Sequence, residues 1–356
     1  MKINYLSLTA ALFILLYAPA VSAETEIGAF VGNEDHMMPS AAEVQNFENL
    51  TGRHVNSVLV YWAWNDGDFP AQSLNSGVRF HDGYDTKTSI NFTWEPWSRL
   101  GGNDSTFPMD RIINGDFDPY ITKFAIDSRV WADPIRMRFA HEMIQDNDPA
   151  TPGWYPWQDK PAEYVQAFNH VRDIFKKEGA NNVEFVWCPN NYPFDPTVLA
   201  QYYPGKENVD WLGIDGYNSG EDGDPEWPYW QNIDDIFYVM YNAFKNNPEL
   251  FGDKPIMLGE FASVEGNQLD GGSKAQWIAQ AFSRLKQSYP DIDAFYWFDK
   301  LKEADWRIDS SPESLAAFQL AMQDPYYTSH AVPEPASLLL LGTGLLALFS
   351  PLFPLD

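Results

Sequence analysis

The 356-residue sequence is poor in several features that common functional classes require. It has one cysteine, Cys188, which excludes an intramolecular disulfide and any paired-thiol chemistry. Its six histidines include no His-x-x-x-His pair, so a zinc site of helical spacing is excluded too. Positive charge is scarce: 23 Lys and Arg stand against 50 Asp and Glu, a formal charge of −27. That field repels nucleic acid, and no basic cluster exists to receive an anionic polymer. No Gly-x-Ser-x-Gly elbow marks a serine hydrolase. What the chain has in abundance is aromatic side chains: 14 Trp, 18 Tyr and 24 Phe, 16% of all residues. Most of these serve a core, but any left outside would suit the apolar C–H faces of sugar rings. A neutral polymer also suits an acidic surface. No metal or cofactor is implied.

The two ends read as addresses. Lys2, the apolar stretch Leu8 to Tyr17 and the small residues Val21-Ser22-Ala23 form a secretory signal over residues 1–23, with the mature chain starting near Glu24. The apolar stretch is short for a membrane span. At the far end, Val332-Pro333-Glu334-Pro335-Ala336-Ser337 precedes an apolar run from Leu338 to Phe349. This resembles the PEP-CTERM sorting tail of exported bacterial proteins. Such tails usually end in a basic cluster, whereas this chain ends Pro351-Leu352-Phe353-Pro354-Leu355-Asp356. Residues 331–356 are therefore expected to be a tail that is removed or that engages the membrane or cell surface. An exported product follows.

Between the ends, apolar runs alternate with helical patterns, the order that a parallel sheet requires. Strands are expected at Ile27–Gly32, Ser57–Trp62, Ser89–Trp94, Ile135–Ala140, Val183–Cys188, Trp211–Asp215, Ile256–Glu260 and Ala294–Phe298. Their near-continuous apolar character suits strands buried on both faces. Helices are expected at Ala41–Leu50, Asp118–Val130, Pro161–Lys177, Ile233–Phe244, Lys274–Ser288 and Pro312–Met322, with those after strands two and three least distinct. Eight such strands without a linker predict one α/β domain over residues 24–330, a single (β/α)₈ barrel. An open doubly wound sheet would carry a glycine-rich phosphate turn after its first strand, and Gly32-Asn33-Glu34-Asp35-His36 offers none.

Barrel chemistry gathers at the carboxyl ends of the strands. Two strand ends carry an acid in an apolar setting. Arg138-Phe139-Ala140-His141-Glu142 ends strand four, and Ile256-Met257-Leu258-Gly259-Glu260-Phe261 spans strand seven. Strands four and seven face each other across a barrel mouth. Two carboxyls there can reach the separation of about 5–5.5 Å used by retaining glycosidases. Their surroundings can then hold one protonated as an acid and the other ionised as a nucleophile. A single strand-end acid can equally cap a helix or pair with Arg136, Arg138 or Arg307. The pair, in these two places, is what points to catalysis.

Arg138-Phe139-Ala140-His141-Glu142-Met143, followed by Gly153-Trp154-Tyr155-Pro156-Trp157, resembles glycoside hydrolase family 26, the β-mannanase family. Val209-Asp210-Trp211-Leu212-Gly213-Ile214-Asp215-Gly216-Tyr217-Asn218 and Lys254-Pro255-Ile256-Met257-Leu258-Gly259-Glu260-Phe261-Ala262 resemble its sixth-strand and nucleophile motifs. The resemblance spans Ile27 to Met322. It implies a (β/α)₈ barrel, double displacement and β-linked backbone polysaccharide or oligosaccharide as substrate. By position it implies Glu142 as acid/base, Glu260 as nucleophile, His141 as an orienting neighbour and Tyr217 as hydrogen-bond partner of the nucleophile. Trp154 and Trp157 would border the subsites, and Trp297 would floor the central one. The chain departs from the family at Ile144 and in the insertion Gln145-Asp146-Asn147-Asp148-Pro149-Ala150-Thr151. That insertion lies beside the acid and leaves mannan, mixed-linkage β-glucan and other β-glycans open.

An endo-β-1,4-mannanase is the first expectation. The alternatives are a β-glucanase, a hydrolase of the producing cell's own exopolysaccharide, and a carbohydrate-binding barrel without chemistry. The acidic loop Gly220-Glu221-Asp222-Gly223-Asp224-Pro225-Glu226 lacks the spacing of an EF-hand and reads as a solvated loop rather than a calcium site.

Overall fold

The computed structural model describes residues 24–32, 38–76, 89–131, 133–144, 153–191, 196–220, 229–266 and 272–328. The expected leader, the Glu34-Asp35-His36 turn, the 145–151 insertion, residues 221–226 of the acidic loop and the tail from 331 onward lie outside these residues.

Eight strands pair in chain order: β1 (Thr25–Phe30), β2 (Ser57–Ala63), β3 (Ser89–Glu95), β4 (Ile135–Phe139), β5 (Val183–Trp187), β6 (Trp211–Asn218), β7 (Ile256–Ser263) and β8 (Ile292–Phe298). Every pairing is parallel, and β1 closes the ring by pairing with both β2 and β8. This is the expected (β/α)₈ barrel. A two-residue strand, β9 (Tyr327–Thr328), adds to β1 at Thr25 and Glu26. It is too short to leave a periodic signal in sequence.

The helices are α1 (Ala41–Thr51), α2 (Ala71–Leu74), α3 (Met109–Ile113), α4 (Asp118–Trp131), α5 (Pro161–Glu178), α6 (Pro196–Tyr202), α7 (Ile233–Asn246), α8 (Pro248–Phe251), α9 (Lys274–Ser288) and α10 (Pro312–Ala321). Their limits follow capping chemistry. Ser40 and Glu43 form a reciprocal capping box at α1, and Asn232 with Asp235 repeats it at α7. Pro161 opens α5 and Gly179, at φ 70°, closes it. The element after β2 is indistinct in sequence because α2 is one helical turn.

Alternation along β4 sorts the core into two compartments. Phe139 points outward against Phe168 of α5, as Trp94 of β3 stacks on Phe124 of α4 at 4.3 Å. Each such ring, fully buried, contributes about 1.5–3 kcal/mol. Arg136 and Arg138 point inward instead. Arg136 bonds Glu26 of β1 at 2.7 Å and the Tyr296 hydroxyl of β8 at 3.1 Å, and lies 4.0 Å from the Trp211 ring centre. Tyr296 in turn donates to Ser57 of β2 at 2.9 Å. One buried cation thus fastens strands on opposite sides of the barrel floor. The second arginine, one pleat higher, meets the residues at the mouth.

Candidate active site

After Phe139 the chain leaves β4 in a conformation that its residues disfavour. Ala140 and Glu142 both adopt left-handed backbone, with φ 48° and 49°. For a residue with a Cβ this costs about 1–2 kcal/mol. Surrounding bonds hold the turn in place. The Ala140 N–H donates to Trp94 O at 3.1 Å, and the Glu142 N–H donates to Cys188 O at 2.9 Å. From the other side, Trp157 Nε1 donates to His141 O at 2.8 Å and Gln158 Nε2 to Glu142 O at 2.7 Å. The 153–158 segment is itself seated by backbone apposition. A Cβ on Gly102 would lie 1.7 Å from Gly153 O, so glycine is required there.

Across the mouth, β6 and β7 carry a register shift. Ile214 pairs with Leu258 while Asp215 pairs with Glu260, which leaves Gly259 skipped. A Cβ on Gly259 would stand 2.5 Å from Asp215 Oδ1 and 2.7 Å from Cys188 Sγ. The bulge therefore depends on glycine, and it sets Asp215 beside Glu260. Arg138 stands between these acids. Its Nη2 donates to Asp215 Oδ2 at 2.5 Å and to Glu260 Oε1 at 2.7 Å, and its Nη1 donates to Gly259 O at 3.1 Å. The other Glu260 oxygen accepts from the Tyr217 hydroxyl at 2.5 Å. His141 Nε2 lies 3.7 Å from Glu260 Oε1 and 3.2 Å from the Tyr155 hydroxyl.

These neighbours separate the two carboxyls. Burial alone would raise Glu260, but the adjacent Arg138 charge, then His141, then the Tyr217 and Tyr61 hydroxyls bring it down to about 2. Glu142 is raised to about 8, first by burial and then by the negative charge of Glu260. His141 is lowered to about 3 by burial and by Arg138, so at neutral pH it is an uncharged imidazole. It offers Glu260 a dipole rather than a full charge. The site thus presents one carboxyl that keeps its proton and one that is bare.

His141, Asp215 and Glu260 also place potential ligand atoms within 4.8 Å of one another. Arg138 already occupies the space between the two acids and supplies their countercharge. A cation there would have to displace a fully buried guanidinium.

The remaining aromatic residues divide. Trp154 is 67% exposed and presents its ring to solvent. Trp157, expected to border the subsites, is fully buried beneath Tyr155, on which it stacks at 4.5 Å. Its part is to hold His141. Trp297, expected as a subsite floor, is also fully buried. It points outward from β8 and packs on Phe261, Trp277 of α9 and Phe318 of α10. Alternation explains the correction: Tyr296 and Phe298 take the inward positions, and Phe298 reaches Tyr217 with ring centres 5.7 Å apart. In sequence Arg138 stands only as a possible pairing partner, and nothing marks out Tyr61, Tyr155 or Gln158. The available signal was an arginine at alternate positions in an otherwise apolar strand.

Residues 121–290 match the family model described as glycosyl hydrolase family 26, and residues 331–350 match the PEP-CTERM protein-sorting motif. The resemblance expected from the motifs is there. Endoglucanase H of Acetivibrio thermocellus is 35% identical over 306 residues, which cover 83% of this chain and 30% of that protein. The chain therefore spans under a third of the length of this relative. Among solved structures, a modular endo-β-1,4-mannanase from Cellulomonas fimi superposes with a TM-score of 0.62 at 18% identity, covering 86% of this chain and 72% of that one. The family 26 domain of an endo-β-mannanase/endo-β-glucanase from Prevotella bryantii gives 0.58 at 14%, covering 86% and 91%. At such identities these two bear on the fold.

Proposed function

We propose that the chain is a retaining glycoside hydrolase that cleaves β-linked backbone polysaccharide by double displacement. The observation that carries this reading is the setting of Glu260 on β7 between Arg138 and the Tyr217 hydroxyl, with Glu142 held on the turn after β4 near enough to feel its charge. Glu142 gives its proton to the departing glycosidic oxygen while the Glu260 carboxylate attacks the anomeric carbon. Glu142, now ionised, then takes a proton from water as that water displaces Glu260. Arg138 and Tyr217 hold Glu260 ionised and aimed, and neutral His141 borders it without competing for the proton. Trp154 offers an exposed stacking face for a sugar ring.

Mannan is the first substrate, as the family resemblance implies. A second reading, β-glucan, is favoured by the name of the 35%-identical relative, an endoglucanase. Reducing-sugar release from mannan, glucomannan, lichenan and xylan ranks these substrates, and NMR of the first product reports its anomeric configuration. Retention is expected; inversion, or no release from any of the four, refutes the proposal. We further propose that residues 1–23 are removed on export and that the sorting motif directs the chain to the cell surface. Among the described residues no helix is long and apolar enough to cross a membrane. Intact-mass analysis of the exported protein tests the removal, and fractionation of the producing cells tests the sorting.

A further inference from the structure

A further carboxyl at the barrel mouth, besides Asp215, has no part in the scheme above. Glu95 is the last residue of β3. It shares the inward parity of Asn91, whose amide reaches Met257 of β7 across the barrel, and of Thr93. Glu95 therefore projects toward the mouth rather than into the helical layer occupied by Trp94. Its charge is felt at Glu142 and at Tyr155, which places it on the acid side of the cleft.

Glu95 is 2% exposed, and its Oε2 has no partner among the described residues. The Arg99 charge and then the Trp97 indole N–H lie near enough to offset part of that burial, yet among the described residues the indole has no partner at full hydrogen-bonding geometry. Trp97 itself is fixed by ring packing on Tyr155 at 4.9 Å and Trp157 at 5.9 Å. A buried carboxyl oxygen without a partner is destabilising, and burial raises this group to about 7. A core position would favour an apolar residue here. A cleft position that awaits a hydroxyl would favour this arrangement.

We infer that Glu95, with the Trp97 indole N–H, is a specificity-determining pair that receives a hydroxyl group of the sugar bound across Glu142 and Glu260. The carboxyl, carrying its proton below neutral pH, both donates and accepts, while the indole donates. One sugar hydroxyl satisfies both groups, and bound saccharide repairs what the empty barrel leaves open. The inference rests on the hydrolase reading, which its test separates from it.

The experiment compares wild type, Glu95→Leu, Glu95→Gln and Trp97→Phe on the best of the four polysaccharides named above, together with thermal melts. Glu95→Leu should lower kcat/KM about 10- to 100-fold, as loss of a buried hydrogen-bonding partner does. It should not lower Tm, since an unsatisfied polar group has been removed. Glu95→Gln should restore most of the activity, because an amide also donates and accepts. Trp97→Phe should cost several-fold and decides the matter if Glu95→Leu fails to fold. Wild-type kcat/KM in Glu95→Leu, or in Trp97→Phe where the leucine variant is unfolded, overturns the inference and leaves the hydrolase reading standing. A lowered Tm with unchanged kinetics assigns Glu95 to the core and also overturns it. A folded wild type that cleaves none of the four overturns both.

Discussion

Replacing Glu142 with Gln removes the proton that the scheme depends on while keeping the side chain's shape. The left-handed backbone at Glu142 costs Gln no more than Glu, so the fold should be retained. In the wild type, kcat/KM requires Glu142 protonated and Glu260 ionised. It should be level between an acid limb near pH 2, where Glu260 gains a proton, and an alkaline limb near pH 8, where Glu142 loses one. General acid–base catalysis supplies about 10²–10⁴-fold, so turnover of polysaccharide by Glu142→Gln should fall by that factor. An aryl glycoside with a dinitrophenolate leaving group needs no proton to depart. Its first step should survive, the second should stall, and a burst of phenolate equal to the enzyme concentration should appear. Added azide, which needs no general base, should restore turnover and yield a β-glycosyl azide. Stability supplies an independent check. The folded state favours protonated Glu142, a contribution that is complete below the ordinary carboxyl range and is lost as pH rises through about 8. Gln does not titrate, so wild type should match the variant in Tm at about pH 4 and fall below it as pH rises to about 8. The reasoning is refuted if Glu142→Gln keeps polysaccharide turnover within a few-fold of wild type, or keeps the alkaline limb.

Arg138→Met leaves Asp215 and Glu260 as uncompensated buried acids, and unfolding by denaturant should show a loss of about 3–5 kcal/mol at neutral pH. Tyr217→Phe removes one hydrogen bond to a carboxylate, worth about 1.5–3 kcal/mol, so the acid limb of kcat/KM should move up by about 1–2 pH units and denaturant stability at neutral pH should fall by that same amount. Trp154→Ala should raise KM several-fold on long oligosaccharides and leave denaturant stability within about 0.5 kcal/mol, because its ring is exposed. Lys274→Met strips Asp305 O, Arg307 O and Ser310 Oγ of their shared ammonium and should lower Tm, with loosening of residues 305–310 read by hydrogen exchange.

The barrel was legible because its strands are apolar and its helices are capped by residues that sequence displays, such as Ser40 and Pro161. The two acids were legible for a related reason: a carboxylate at the end of a buried strand stands out against its neighbours. The aromatic positions were harder. The family resemblance places Trp157 and Trp297 at the sugar subsites, yet both are buried, because the inward or outward direction of a residue is set by pleat and register. Arg138 was visible as a residue but not as the bridge between Asp215 and Glu260. That role needs the bulge at Gly259, which a one-residue register change creates and no periodicity announces.

The turn carrying Glu142 is clamped at both margins, to Trp94 and Cys188 on the barrel and to Trp157 and Gln158 beyond the insertion. A segment whose ends are fixed can grow at little thermodynamic cost, about 0.6 kcal/mol for each doubling of its length. Residues 145–152 can therefore change in length without shifting Glu142. On the proposed scheme, the surroundings of the leaving group are then free to vary apart from the acid that serves it.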